Sequence, residues 1–152
     1  MTREEVFQRI ANRLKKKASS CDCIQCKRMC HTPCLGTPHD ILALINAGYI
    51  DKLQLTLWAA GITLGFTSKI IPMVQARVED GWCVFYHDGM CELHDSGLKP
   101  TEGVLASHEV SFRELTSKYN LTYNVAREWN DEHLDIINEI AKKLNEHLEE
   151  EE

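Results

Sequence analysis

Five of the seven cysteines in this chain lie within fourteen consecutive residues, CDCIQCKRMCHTPC at positions 21–34. Thiolates are soft ligands, and several of them that converge on one centre bind zinc or an iron–sulfur cluster. The remaining two, Cys83 and Cys91, lie about fifty residues further on and flank an Asp88-Gly89 turn signal. This distribution predicts a metal site built from an N-terminal cysteine loop and a later hairpin.

The cellular compartment bears on how these cysteines are interpreted. Residues 1–20 carry acidic side chains near their start and lack a continuous apolar core, so they do not have the pattern of a signal peptide. No stretch approaches the length of a membrane span. We therefore predict a cytoplasmic protein, in which disulfides rarely persist and clustered cysteines are better explained as metal ligands. The net charge of −6 argues against a general nucleic-acid binder and leaves an unknown protein or small molecule as the partner.

The length of 152 residues favours a single domain, residues 1–152. The pattern predicts an α+β fold, stapled by metal, with three parts. These are an N-terminal helix within 1–20, a metal-chelating core over 21–108 and C-terminal helices within 109–152. The core is expected to hold the cysteine loop and a β-hairpin or small antiparallel sheet, and amphipathic helices flank it.

Capping residues and apolar spacing locate the helices. Thr2 and Glu5 form a capping-box pair ahead of an apolar stripe, which predicts a helix over 3–17. Thr37, followed by Pro38, starts a second helix whose N-terminus faces the cysteine loop. Residues 50–66 fit both a strand and a helix, and we expect a short helix ending at Ala60. Further helices are predicted over 111–119 and along an amphipathic run from 125 to 148.

Strand signals occupy the middle of the chain. Residues 70–78 are predicted to form a strand, with Pro72 keeping it near an edge or making a bulge. Residues 82–94 alternate around Asp88-Gly89 and predict a β-hairpin. The segment 95–108 is rich in turn residues and is expected to be a loop.

The cysteine pattern resembles that of a known family. It resembles the zinc- or iron-chelating proteins of the CxxCxxCC type, also called YkgJ-like, over residues 21–108, including the segment LKPTEG at 98–103. That family has two adjacent cysteines where this chain has Cys30-His31, and a further cysteine near the position of Gly103. Its members are often labelled Fe–S oxidoreductases, and a related cysteine pattern occurs in flagellin lysine methylases.

Residue chemistry and the resemblance together imply a set of six metal ligands: Cys23, Cys26, Cys30, Cys34, Cys83 and Cys91. Cys21 lies outside the resembled motif, and three histidines stay open as further ligands: His31, His94 and His108. The spacing C-x2-C-x3-C-x3-C differs from that of a bacterial ferredoxin loop, whereas tetrahedral zinc accepts ligands from distant segments. We therefore predict zinc, with an iron–sulfur cluster or iron as the alternative.

The resemblance also bears on the register of the hairpin. A two-residue Asp88-Gly89 turn would pair His87 with Met90 and place the two cysteines on opposite faces. Since the resemblance implies that both are ligands, we predict a three-residue His87-Asp88-Gly89 loop instead. That loop pairs Phe85 with Cys91, places Cys83 on the same face, requires Gly89 at positive φ and turns His94 away.

Two functional classes follow from these observations. The first is a metal-stapled module with a structural zinc site that presents a surface to a partner. The second is an iron–sulfur or metal-dependent redox enzyme, which would need an open coordination position. No nucleophile–base pair, phosphate loop or nucleotide fingerprint occurs in the sequence, and no catalytic residue is identified. The first class is our prediction.

Overall fold

The structure, a computed structural model, describes residues 1–18, 34–56, 71, 73–87, 90–93, 96–106 and 112–151. Within these residues the chain has helices and small antiparallel sheets, which confirms the predicted α+β class. None of the helices in the described residues is long and apolar enough to cross a membrane.

Five α-helices occur in the described residues: α1 (Arg3–Leu14), α2 (Pro38–Asn46), α3 (Thr101–Leu105), α4 (Leu121–Ala126) and α5 (Leu134–Glu151). Short 3₁₀ helices lie at Ile50–Lys52, Phe112–Leu115, Ser117–Tyr119 and Asp131–His133. Six strands form three two-stranded antiparallel ladders, β1 with β2, β3 with β4 and β5 with β6: β1 (Leu53–Thr56), β2 (Met73–Ala76), β3 (Val78–Glu79), β4 (Trp82–Cys83), β5 (Tyr86–His87) and β6 (Met90–Cys91).

Side-chain caps start the first two helices as predicted. The Thr2 hydroxyl accepts a hydrogen bond from the Glu5 amide at 3.1 Å. Thr37 and Asp40 form a complete capping box, in which the side chain of each accepts from the backbone N–H of the other. Helix α1 ends at Leu14 rather than at residue 17, because Lys15 takes the left-handed conformation with φ of 54°. The amides of Lys15 and Lys16 donate hydrogen bonds to the carbonyls of Asn12 and Ala11 in the last turn, and these bonds end the helix.

Five other predicted elements differ from the structure. Residues 53–56 form β1 rather than a helix, because they pair with β2 from Leu53 opposite Ala76 to Thr56 opposite Met73. The 70–78 strand is two strands, β2 and β3. The 95–108 loop contains α3, and 111–119 forms two 3₁₀ turns rather than an α-helix. The run from 125 to 148 is interrupted between α4 and α5. Pro72 and residues 57–70 lie outside the described residues.

Apolar faces of α1, α2, α4 and α5 meet in one core with the inner sides of the strands. Helix α2 packs most extensively against α5, and α1 packs against α2 and α4. Trp129 is fully buried and donates its indole N–H to the Gly36 carbonyl at 2.9 Å. The core includes Val6, Ile10, Leu14, Leu35, Ile41, Leu44, Met73, Phe85, Leu93, Leu105, Val125, Ile137 and Ile140. Leu35 in the core and the hydrogen bond to Gly36 thus anchor the segment 34–37, which leads into α2.

A buried ion-pair cluster joins α1 to the segment between α4 and α5. Glu128 is 2% exposed, and the Arg9 guanidinium donates to its two carboxylate oxygens at 3.0 and 2.7 Å. Arg9 also donates to the exposed Glu132 at 3.1 Å, and His133 Nε2 lies 3.6 Å from Glu128 Oε2. Because removal of one partner leaves a buried charge uncompensated, such a pair is costly to break.

Replacing Glu128 by glutamine should lower the free energy of unfolding by about 3 kcal/mol at neutral pH. Burial raises the pKa of Glu128, but hydrogen bonds and charges from His133 and Arg9 lower it more, to a net value below 4.5. A carboxylate with a depressed pKa contributes stability above pH 4.5 and loses it as the pH falls through its folded-state pKa. Urea unfolding between pH 3 and 7 should therefore show a shallower acid decline in Glu128→Gln than in wild type. The exposed Glu139→Gln serves as control, and an equal decline in wild type and Glu128→Gln would contradict this assignment.

Candidate metal centre

The predicted ligands divide into two groups. Cys34, Cys83 and Cys91 belong to the described residues, and none of the three is in a disulfide. Cys23, Cys26 and Cys30 lie outside them, as do Cys21, His31, His94 and His108. The geometry of the candidate site is therefore built from the three described cysteines and their neighbours.

Cys34 is held by the segment that leads into α2. The amide of the next residue, Leu35, donates to Glu102 Oε1 at 3.3 Å, and the Leu35 carbonyl accepts from the Glu102 amide at 3.1 Å. Leu35 itself is fully buried in the core. These paired hydrogen bonds fix the backbone beside Cys34 to the first turn of α3.

The sulfur of Cys34 lies against the backbone of α3. A Cβ atom on Gly103 would lie 2.7 Å from Cys34 Sγ and 3.1 Å from Lys99 Cε. Real Cβ atoms essentially never make contacts shorter than 3.0 Å. The Cys34 sulfur can therefore occupy this space only because residue 103 has no side chain. The aliphatic part of Lys99 lies beside the same space.

Cys83 ends a hairpin that the sequence analysis did not identify. Asp80 and Gly81 have φ of 52° and 80°, as a two-residue hairpin turn requires, and they join β3 to β4 with Val78 opposite Cys83. The chain then turns at residues 84 and 85 before β5 begins. The predicted hairpin over 82–94 is confirmed for β5 and β6, which pair across Asp88-Gly89, but it does not extend to Trp82 and Cys83, because β4 pairs with β3.

Cys91 lies in the second hairpin, and the predicted register is also wrong. Tyr86 pairs with Cys91 and His87 with Met90, so two residues separate the paired positions rather than three. Phe85 accepts a hydrogen bond from the Glu92 amide at 2.7 Å, one position beyond the last pair. The predictions for Gly89 and His94 lie outside the described residues.

A turn at residues 84 and 85 separates the two hairpins, so Cys83 and Cys91 do not lie on one flat ladder. The rings of Trp82 and Tyr86 stack across the turn with centroids 4.6 Å apart and planes 12° from parallel. Val84 donates to the Arg77 carbonyl at 2.8 Å, which ties the start of the turn to the residue before β3. Strand alternation from 83 to 91 therefore does not decide on which side the two thiols lie.

The charges of Cys83 and Cys91 affect the pKa of Cys34, and that of Cys91 affects the pKa of Cys83. Burial raises the pKa of Cys34 well above its ordinary value, and three charges add to the effect: Glu102, Cys83 and Cys91. The Lys99 ammonium opposes it. Burial also raises the pKa of Cys83, an effect reinforced by Cys91 and opposed by the Phe85 amide, which donates to the sulfur, and by Lys52. The three thiols are therefore within range of one another's charges.

Glu102 is the functional candidate that the sequence analysis missed. Its carboxylate accepts from the Leu35 amide and, at 2.7 Å, from the Thr122 hydroxyl, so it connects the Cys34 segment to α3 and α4. Burial raises its pKa, and these two hydrogen bonds oppose the shift. Glu102 belongs to the segment LKPTEG at 98–103, which is part of the family resemblance. The resemblance gave no role to this residue.

Thiols are the donors that zinc and iron–sulfur clusters prefer, so the chemistry of Cys34, Cys83 and Cys91 fits the predicted metal. In the part of the chain that the structure describes, no group of three or more His, Cys, Asp or Glu side chains is arranged as a metal site. The described cysteines thus supply donors from two separate segments, and the other three predicted ligands belong to residues 21–33.

Comparisons with models of protein families, with curated proteins and with solved structures found no match to this chain.

Proposed function

We propose that this protein binds a thiophilic metal ion, with zinc as the resident metal, through cysteines from the 21–34 segment and from the two hairpins. The observation that carries the proposal is the clustering of five cysteines within residues 21–34, together with Cys83 and Cys91 in the two hairpins. Packing gives no reason to place five cysteines among the charged residues of 21–34, or to bury the Cys34 thiol within range of the charges of Lys99 and Glu102. A metal ion provides that reason, because each thiolate gains a ligand bond.

The proposed role of the metal is structural. Hydrogen bonds between Leu35 and Glu102 fix the backbone beside Cys34, and backbone hydrogen bonds fix the two hairpins that contain Cys83 and Cys91. A metal ion bound by these cysteines would link the two fixed segments. A closed set of four thiolates around zinc leaves no position for a substrate. We place the protein in the cytoplasm, where thiols stay reduced, and we propose that the stapled fold presents a surface to a protein or small-molecule partner.

The experiment that tests the proposal is metal analysis combined with a visible absorption spectrum on protein purified without oxygen. We expect colourless protein with stoichiometric zinc. Brown protein with iron and acid-labile sulfide would replace zinc by the iron–sulfur alternative, which the all-thiolate donors also suit. Protein without bound metal, which takes up neither zinc nor iron on reconstitution, would overturn the proposal.

Serine variants test the individual ligands. We expect Cys83→Ser and Cys91→Ser each to lower the bound zinc per molecule, because a neutral hydroxyl is a poor substitute for a thiolate. Cys26→Ser and Cys30→Ser should have the same effect. Cys21→Ser is the matched control and should keep the wild-type zinc content. Full metal retention in any of the first four variants would remove that residue from the ligand set.

A further inference from the structure

Gly103 is an unusual residue for its position. It lies in the middle of α3, and it is not among the described glycines with positive φ. Its backbone conformation is therefore open to any residue, and alanine would favour the helix by up to about 1 kcal/mol over glycine. The backbone conformation therefore gives no reason for glycine at position 103. The reason must lie in the atoms that surround its α-carbon.

Two side chains occupy the space that a Cβ at position 103 would need. Cys34 Sγ lies 2.7 Å from that point, and Lys99 Cε lies 3.1 Å from it. The Lys99 stem is half-buried and flexible, so it can move outward at little cost. The sulfur has less freedom, because two hydrogen bonds between Leu35 and Glu102 fix the adjoining backbone and leave rotation about χ1 as its main movement.

We propose that Gly103 is a positioning residue that leaves the Cys34 sulfur room to lie where it binds a thiophilic divalent ion. The inference rests on the proposed metal site and adds a residue to it. A methyl group at position 103 would push the Cys34 sulfur out of the place that it occupies in the structure. The fold tolerates that movement, because only the end of a short side chain moves. The metal site does not, because a ligand placed wrongly by an ångström loses its bond.

Cobalt(II) is the probe, since its thiolate charge-transfer absorption reports directly on sulfur ligands. Metal-free wild type and Gly103→Ala are titrated with cobalt under reducing conditions without oxygen, and circular dichroism confirms that each is folded. We expect Gly103→Ala to bind cobalt about tenfold more weakly or worse, with reduced charge-transfer intensity. The matched control is Gly48→Ala. It strains a glycine at φ of 96° with no atom within 4 Å of the new methyl, and it should bind cobalt as wild type does.

A double-mutant cycle tests whether Gly103 acts through the sulfur. Cys34→Ala combined with Gly103→Ala should bind cobalt no more weakly than Cys34→Ala alone, because the obstacle and the ligand are then both absent. Additive losses would overturn the inference, as would wild-type affinity in Gly103→Ala, and both results leave the proposed metal site intact. If wild type binds no cobalt, the proposed function fails and the inference fails with it.

Folding supplies a second readout if Gly103→Ala does not fold. In that case the double variant, which lacks the sulfur, should fold again. If the double variant also stays unfolded, then the sulfur is not the obstacle at position 103 and the inference is overturned.

Discussion

Replacing Asp40 by alanine is expected to lower the free energy of unfolding by about 4 kcal/mol. Asp40 is 1% exposed, and its carboxylate joins three separate parts of the chain. One oxygen accepts from Arg3 Nε at 2.7 Å. The other accepts from the Thr37 amide at 3.0 Å and from the amide and hydroxyl of Thr101 at 2.8 and 2.6 Å. Alanine leaves these donors without their acceptor, in a place that is largely closed to water.

Equilibrium unfolding in urea measures this effect, with Asp40→Asn and Asp135→Ala beside it. Asparagine keeps the shape but replaces one acceptor oxygen by a donor, so a loss of similar size is expected. Asp135 lies exposed in the first turn of α5, where removal of an acidic residue costs about 0.5 kcal/mol. If Asp40→Ala lost no more than Asp135→Ala, the carboxylate would not join these elements as the structure indicates.

Withdrawal of the proposed zinc ion should lower the melting temperature by about 10 °C or more. A site that includes Cys34 and Cys83 closes a chain segment of about fifty residues, and it also links the start of α2 to the hairpins. Structural zinc contributes on the order of 10 kcal/mol in small peptides at neutral pH. Loss of that contribution opens the closed segment and frees the two hairpins from the helices.

Differential scanning calorimetry of zinc-loaded and chelator-stripped protein measures the shift. Stripped protein to which zinc is returned serves as the control for damage during chelation, and it should regain the melting temperature of the loaded protein. Equal melting temperatures for stripped and loaded protein would show that the metal does not staple this fold. The Asp40 prediction is independent of that result, because its hydrogen bonds involve no predicted ligand.

Local signals predicted the helix starts well and the strands poorly. Thr2 and Thr37 cap their helices as expected, since a cap depends on residues three positions apart. Residues 53–56 had both helical and strand spacing, and the outcome depended on a partner strand about twenty residues away. The chain contains two Asp-Gly pairs, and the predicted hairpin turn lay at the second, Asp88-Gly89. The first, Asp80-Gly81, divided the expected hairpin into two.

The sequence by itself determined the chemistry of the candidate site, the α+β class and the starts of α1 and α2. These properties depend on residue type and on short spacings, which a linear pattern contains. Tertiary structure alone decided which groups meet. Glu102 holds the backbone beside Cys34, and Gly103 leaves room for the Cys34 sulfur. Asp40 likewise became a junction only when α3 packed beside α2. The physical reason is that such contacts join residues tens of positions apart, whose approach depends on the packing of the whole core.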